Sequence, residues 1–204
     1  MPTRHRLAGL AFGLLCLALA GCGKSAPTQF YTLTADPGEQ GPDAALAAHR
    51  PAPASPVLGI GPVELPAYLD RTQIVTRGEN SSMQLAEFDQ WIEPVQDNFE
   101  RALLENLAGM LDGRPVVSHP WPAGMRPDRQ VTIQVRRFDG AMGREAVLRA
   151  EWSVLDADGS LVLWRQSALR EPVQGLDYTA LVAAQSRLVA ALAAQIAQGL
   201  EQVR

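Results

Sequence analysis

An apolar run near the start of the chain limits the fold most, because we predict that it is absent from the mature protein. Residues 7–19 are Leu, Ala, Gly, Phe and Cys, and the basic segment 4–6 precedes them. A positive segment, an apolar core and small residues such as Ala20 and Gly21 are the three parts of a secretory signal. The run is also shorter than the ~20 apolar residues that a bilayer span needs. The pattern therefore predicts a signal peptide over 1–21 and a fold built only from later residues.

The signal ends in a motif that predicts lipid attachment. Leu19-Ala20-Gly21-Cys22 resembles a bacterial lipobox, where the signal is cut and the new terminal cysteine is acylated. We expect a covalent lipid on Cys22, with palmitate among its chains. Because Gly23 and not Asp follows, resemblance to sorting in enteric-type bacteria predicts the outer membrane, with the protein facing the periplasm. The alternatives are a cleaved signal with an incidental cysteine, or an uncleaved anchor.

Composition excludes several classes of protein. Without the two arginines of the signal, the mature chain has 16 basic and 22 acidic residues, a net charge of −6. A nucleic-acid partner is not expected, because nucleic-acid binders need a basic surface. Cys16 lies in the signal and Cys22 carries the expected lipid, so the folded part has no cysteine for a disulfide or a thiolate metal site. Packing alone must stabilise it.

The mature chain is long enough for one domain. We predict a lipid-anchored tether over 22–28 and a single domain over 29–204, which can bury a sizeable core. Within this domain, 36–55 is rich in Pro, Gly and Ala, and this composition predicts a flexible segment. The alternative there is a short helix over 44–48.

Hydrophobic periodicity predicts both strands and helices. Apolar and β-branched patterns predict strands at 30–33, 57–63, 73–76, 83–88, 116–117, 131–136, 146–155 and 161–169. Pro94 suits the first position of one helix, and Asp177 suits the N-cap of another over 178–202. Each helix has one apolar stripe. In the first helix the stripe is Val95, Phe99, Leu103, Leu107, Met110 and Leu111. In the second helix it is Leu181, Leu188, Leu192, Ile196 and Leu200. The predicted class is α+β, with a mostly antiparallel sheet and two long amphipathic helices packed on one of its faces.

The side chains that catalysis needs are scarce. His119, in a Pro-flanked loop, is the only histidine outside the predicted signal and flexible segment. One histidine is too few for a His-rich zinc site, and the motifs G-x-S-x-G and H-E-x-x-H do not occur in the sequence. Gly59-Ile60-Gly61 begins like a dinucleotide motif, but Glu64 stands where its third glycine belongs. We therefore expect no enzyme activity, no catalytic residue, no metal and no cofactor beyond the covalent lipid.

A Pro-rich block after the second strand is the strongest candidate for a binding surface. Prolines reduce the entropy that a surface loses on binding, and Tyr and Trp are common interface anchors. The alternative is that Leu65, Tyr68 and Trp91 simply cover the end of the sheet. The candidate partner-binding residues are Pro62, Leu65, Pro66, Tyr68, Leu69, Asp70, Arg71 and Trp91.

The same block carries a resemblance to a known family. Together with the lipobox, it is similar to the ABC-type transport auxiliary lipoproteins, the PqiC-like family. The resemblance covers nearly the whole mature chain. The features that carry it, besides the lipobox, are 30–33, 59–71, 73–77, 91–94, 105–107, Trp152 and 177–178.

The resemblance implies a function. Members of that family are periplasm-facing lipoproteins, usually of the outer membrane. They work with MCE-domain proteins that carry lipids between the two membranes, in some systems with an ABC transporter. The resemblance therefore implies a non-catalytic accessory protein that docks on or caps an MCE-domain protein, or forms a ring with further copies of itself at the end of that protein. The alternative is another envelope adaptor, such as a peptidoglycan-associated or outer-membrane assembly lipoprotein.

Overall fold

The computed structural model describes residues 26–35, 56–80, 82–111 and 113–203. The predicted signal peptide over 1–21, the predicted lipidation site Cys22 and the predicted flexible segment over 36–55 lie outside the described residues. The described chain forms eight strands and two α-helices. In chain order they are β1 (Gln29–Tyr31), β2 (Leu58–Glu64), β3 (Gln73–Arg77), β4 (Met83–Trp91), α1 (Val95–Met110), β5 (Val116–Ser118), β6 (Arg129–Gly140), β7 (Glu145–Asp156), β8 (Leu161–Pro172) and α2 (Tyr178–Gln202).

The strands form one mixed sheet in which β6 is the central strand. β7 pairs antiparallel with one edge of β6, from Arg129 opposite Asp156 to Gly140 opposite Ala146, and β8 continues this meander. On the other edge of β6 lies β2, which also pairs with β5, and both of these pairings are parallel. The end of β6 meets β3 at Thr76, and β3 links the sheet to β4 and β1.

The α+β class is confirmed, but the sheet is less antiparallel than predicted. Besides the two pairings of β2, the β1–β4 and β3–β6 pairings are parallel. Parallel neighbours need a crossover connection, and the chain between β2 and β5, which contains α1, supplies one. Alternation within a strand carries no information on the direction of its neighbour. Local patterns and turn signals therefore predicted the antiparallel pairing of β3 with β4 and the β6–β7–β8 meander, but none of the parallel pairings.

Helix α2 begins and packs as its sequence predicts. The carboxylate of Asp177 accepts a 2.8 Å hydrogen bond from the backbone N–H of Ala180, as an N-cap does. Every member of the predicted stripe is buried: Leu181, Leu188, Leu192, Ile196 and Leu200. The helix contacts α1 and the strands β6, β7 and β8. By length and composition α2 could also cross a membrane, but more than half of that stretch is buried in the domain, which is typical of a core helix.

Helix α1 buries most of its predicted stripe. Phe99, Leu103 and Leu107 are fully buried, and the Phe99 ring meets the ring of Phe138 edge-on at 5.2 Å. Such edge-to-face pairs favour packing beyond the area that they bury. Met110, the last residue of the helix, is 40% exposed, so the prediction that it belongs to the buried stripe is wrong. The fully buried part of the stripe ends one turn earlier, at Leu107.

Candidate functional site

The candidate site is the connection between β2 and β3, residues 65–72, which we call the β2–β3 turn. At its centre, residues Ala67–Leu69 form a single 3-10 turn. The N–H of Leu69 donates to the carbonyl of Pro66 at 2.9 Å, and the N–H of Asp70 donates to the carbonyl of Ala67 at 3.2 Å. Proline restricts its own backbone. Pro66 and these two hydrogen bonds therefore restrain the conformation of the turn before any partner contacts it.

A side-chain hydrogen bond ties the β2–β3 turn to the far end of β6. The hydroxyl of Tyr68 donates to Oδ2 of Asp139 at 2.9 Å, and the N–H of Phe138 donates to the same hydroxyl at 3.3 Å. Within the turn, Nε of Arg71 donates to the carbonyl of Tyr68 at 2.8 Å. The side chain of Tyr68 therefore links an exposed loop to the core strand.

Asp139 is a fully buried carboxylate with two arginine partners. Arg77 donates from Nε to Oδ1 at 2.9 Å and from its terminal nitrogen to Oδ2 at 2.7 Å, a bidentate contact. Nε of Arg137 donates to Oδ1 at 2.9 Å. A buried charge is tolerated when it is paired and hydrogen-bonded, and each oxygen of Asp139 has two donors. The carboxylate thus joins β3, β6 and the β2–β3 turn.

The ionisation of this cluster follows from its geometry. Burial has the largest single effect on the pKa of Asp139 and would raise it, but the hydrogen bonds from Arg77, Tyr68 and Arg137 outweigh burial and lower this pKa. Burial, with the adjacent Asp139 carboxylate, raises the pKa of Tyr68 to about 12. At neutral pH the tyrosine is therefore a neutral donor and Asp139 an ionised acceptor.

The structure divides the predicted partner-binding residues into three groups. Pro62, Asp70 and Arg71 are exposed. Leu65, Pro66 and Tyr68 are partly buried. Leu69 and Trp91 are each only 4% exposed and belong to the hydrophobic core. The burial of Trp91 fits the alternative that it covers the end of the sheet, and Leu69 is a core residue as well. A partner surface here therefore depends on the other six residues and remains a prediction.

No local pattern in the sequence identifies the residues that hold the turn in place, Arg77, Arg137 and Asp139, as a group. One signal was available. The alternation of Val131, Ile133 and Val135, continued along the strand, places Asp139 among inward positions. A bulge after Val135 interrupts that alternation, and Phe138, Asp139 and Gly140 are all buried. An isolated carboxylate at an inward position indicates a buried ion pair, but the sequence does not identify its partner.

A cleft of about 430 Å³ between α1 and the end of β5 is the other candidate site. Burial, followed by the charge of Asp97, raises the pKa of Glu100. His119 is exposed, as predicted for a loop residue, and its ring lies edge-on to that of Trp121 at 5.2 Å. Within the described ranges, no three His, Cys, Asp or Glu side chains are grouped so that they could hold a metal ion. The residues lining the cleft are Asp97, Glu100, Arg101, Leu104, Glu105, Ser118 and His119.

The fold and the β2–β3 turn define a small domain of the α+β class. The sequence profile of the ABC-type transport auxiliary lipoprotein component matches residues 31–197, which is most of the chain, and the protein belongs to this family. The family resemblance inferred from the sequence is thereby confirmed. No protein with a curated description matches the chain.

Solved structures share the fold. The crystal structure of an uncharacterized protein superposes with a TM-score of 0.68 at 20% identity, over 86% of this chain and 99% of the other. Protein XCC0632 from Xanthomonas campestris, of the DUF330 family, has a TM-score of 0.61 at 20% identity, over 83% and 93% of the two chains. A PelC dodecamer from Paraburkholderia phytofirmans superposes less well, with a TM-score of 0.41 at 12% identity, over 69% and 87% of the two chains.

Proposed function

We propose that this protein is a periplasm-facing outer-membrane lipoprotein and the non-catalytic accessory component of an MCE-type lipid-transport system. Cys22 carries the lipid that holds it to the membrane, and the β2–β3 turn docks on an MCE-domain protein. The observation that carries the proposal is the family match over residues 31–197, which contains the whole turn.

The geometry of the turn supports docking. Its backbone is restrained by Pro66 and by the Tyr68–Asp139 hydrogen bond, so a partner orders little additional chain on binding. Asp70 and Arg71 are exposed side by side with opposite charges. Adjacent opposite charges set the register and specificity of an interface more than its affinity. The expected partner is an MCE-domain protein, with a second copy of this chain in a ring as the alternative.

A non-catalytic role fits the polar groups that the structure describes. The two conspicuous ones, the Asp139 cluster and the cleft beside His119, have different chemical character. In the Asp139 cluster, both carboxylate oxygens accept hydrogen bonds, from Tyr68, Arg77 and Arg137. The second combines an exposed imidazole with carboxylates and one arginine, and the described chain groups no metal ligands there. The cleft also holds the hydroxyl of Ser118 beside His119, but the hydrogen bonds of the described residues include none between these two side chains, and covalent catalysis needs a nucleophile joined to an oriented base.

Crosslinking of the envelope followed by affinity capture tests the proposed function. The full-length protein is expressed with a C-terminal tag, crosslinked in intact cells and captured, and the crosslinked proteins are identified by mass spectrometry. The expected result is an MCE-domain protein. Capture of peptidoglycan fragments or of outer-membrane assembly proteins, without an MCE-domain protein, would replace the proposal with the envelope-adaptor alternative.

A further inference from the structure

Two large apolar side chains are exposed on neighbouring chain segments where the tether enters the domain. Phe30 in β1 is 58% exposed, and Ile92, directly after β4, is 61% exposed. Phe30 pairs with Gln90 in the parallel β1–β4 ladder, and the N–H of Ile92 donates to the carbonyl of Tyr31 at 2.9 Å. Their chain neighbours Tyr31 and Trp91 pack against the core. We call Phe30 and Ile92 the β1 apolar pair.

The β1 apolar pair has a fixed position in the domain. The N–H of Leu33, two residues after β1, donates to Oδ1 of the buried Asn98 in α1 at 2.8 Å. Arg101 donates to the carbonyl of the same Leu33 at 3.1 Å and to Glu93 at 3.0 Å. The contacts of Leu33 fix the segment that follows Phe30. The contact of Glu93 fixes the residue that directly follows Ile92. Phe30 and Ile92 are therefore exposed on a rigid part of the fold.

The proposed lipid anchor places this end of the domain near a membrane. Six residues, 23–28, separate Cys22 from Gln29. A chain of that length spans at most about 25 Å when fully extended, and about 15 Å on average if it behaves as a flexible coil. Phe30 follows directly, so it is the first large apolar side chain of the domain after the anchor. A weak contact gains strength when a tether holds the two surfaces together.

The charges beside the pair do not prevent contact with lipid. The carboxylate of Asp89 accepts a 2.7 Å hydrogen bond from the hydroxyl of Tyr31, and Glu93 forms an ion pair with Arg101 at 3.0 Å. The residues paired with or preceding Phe30 are the uncharged Gln90 and Gln29. The headgroup region of a bilayer accommodates polar groups of this kind beside apolar side chains that enter its apolar boundary.

We infer that the β1 apolar pair inserts into the headgroup region of the bilayer that holds the Cys22 lipid. This contact orients the domain, with the β1 edge of the sheet towards the membrane and the β8 edge away from it. The inference rests on the proposed lipidation. Two side chains are too few to bind a membrane alone, so the same domain without lipid does not bind vesicles.

The opposite edge of the sheet supplies a matched control. Leu161 in β8 is 62% exposed, as much as Ile92. Between β1 and β8 lie β4, β3, β6 and β7, which at about 4.8 Å per strand separates the two edges by roughly 24 Å. Leu161 is therefore equally accessible and equally apolar, but it lies far from the tether.

Single-cysteine labelling of the lipidated protein tests the orientation. The mature chain has no cysteine besides Cys22, whose sulfur is blocked once it carries a lipid. The variants Ile92→Cys, Phe30→Cys and Leu161→Cys are labelled with an environment-sensitive fluorophore and reconstituted into vesicles of phosphatidylethanolamine and phosphatidylglycerol. We expect blue-shifted emission, quenching by spin-labelled lipid and loss of iodide quenching at positions 92 and 30, and none of these at 161. Unchanged melting temperatures show that the labelled variants are folded.

The outcomes separate this inference from the proposed function. If mass spectrometry shows the lipid and the protein sediments with vesicles, but all three labels remain open to iodide, the orientation is wrong and the anchoring stands. Protection at positions 92 and 30 that develops only when an MCE-domain protein is added assigns the pair to a protein interface and also overturns the inference. Absence of lipid on Cys22 overturns both.

Discussion

The hydroxyl of Tyr68, in an exposed turn, donates a 2.9 Å hydrogen bond to the fully buried carboxylate of Asp139. This contact joins two parts of the chain that are 71 residues apart and places the β2–β3 turn in one conformation relative to the central strand. The same tyrosine is therefore both a structural tether and a member of the candidate binding surface, and its substitution alone cannot separate the two roles.

Removing the hydroxyl of Tyr68 should destabilise the fold. Tyr68→Phe deletes one of the donors to a buried charge, and hydrogen bonds to charged groups contribute about 1.5–3 kcal/mol. The free energy of unfolding, measured with urea, should fall by that amount. Tyr31→Phe is the matched control, because Tyr31 also donates to a carboxylate, Asp89, but at a more exposed position. An equal or larger loss for Tyr31→Phe would contradict the assignment of Asp139 as a buried anchor.

Asp139→Asn should change how stability depends on pH. Since the folded-state pKa of Asp139 lies below its ordinary value of 3.8, its charge stabilises the fold above that value, and this contribution is lost as the pH falls towards the folded pKa. At pH 7 the free energy of unfolding of the variant should be lower by about 3–5 kcal/mol, as expected when one partner of a buried pair is removed. The difference in unfolding free energy from the unsubstituted protein should shrink below about pH 4. A difference that stays constant with pH would contradict the lowered pKa.

Leu107→Ala should leave a cavity in the helix core. Leu107 is fully buried, and such truncations cost about 2–5 kcal/mol. Met110→Ala, one turn later on the same helix, removes a 40% exposed side chain and should cost less than about 0.5 kcal/mol. Urea unfolding of both variants measures the contrast, and similar losses would show that the buried stripe extends to the end of α1.

Two helical glycines should respond in opposite ways to alanine. At Gly199 in α2 a Cβ atom would lie 2.5 Å from the ring of Trp152, so Gly199→Ala should lower stability by about 1–3 kcal/mol. At Gly109 in α1 a Cβ would meet no atom within 4 Å, so Gly109→Ala should raise stability by up to about 1 kcal/mol. Thermal melting of the two variants checks both signs. Stabilisation by Gly199→Ala would contradict the close approach of α2 to β7.

Cys22 should be lipidated and residues 1–21 removed. The mass of the intact membrane-extracted protein should equal that of 22–204 plus several acyl chains, since one chain alone gives only marginal membrane binding. A chain in which residues 1–22 are replaced by an ordinary cleavable secretory signal should leave the membrane fraction while the domain remains folded. An unmodified cysteine, or retention of the first 21 residues, would contradict the lipobox interpretation.

Local patterns predicted the elements of this fold better than their arrangement. The boundaries of α2 and its N-cap at Asp177 followed from periodicity and capping chemistry, which depend only on neighbouring residues. The parallel pairing of β2 with β6 did not, because it depends on the path of the chain across the sheet. The burial of Trp91 was likewise open, since a large aromatic residue three positions before a proline suits either a core or an interface. The Tyr68–Asp139 contact joins distant segments, so no local pattern identified it.

Capture of the partner by a charge-reversed turn tests the central claim most directly. Asp70→Arg changes an exposed residue of the β2–β3 turn, and Glu201→Arg makes the same change at an exposed position near the end of α2. Both variants should keep the melting temperature of the unsubstituted protein. Docking through the turn predicts that Asp70→Arg no longer captures the MCE-domain protein from crosslinked envelopes, whereas Glu201→Arg captures it as well as the unsubstituted protein does. Undiminished capture by Asp70→Arg would contradict the claim that the turn is the docking surface.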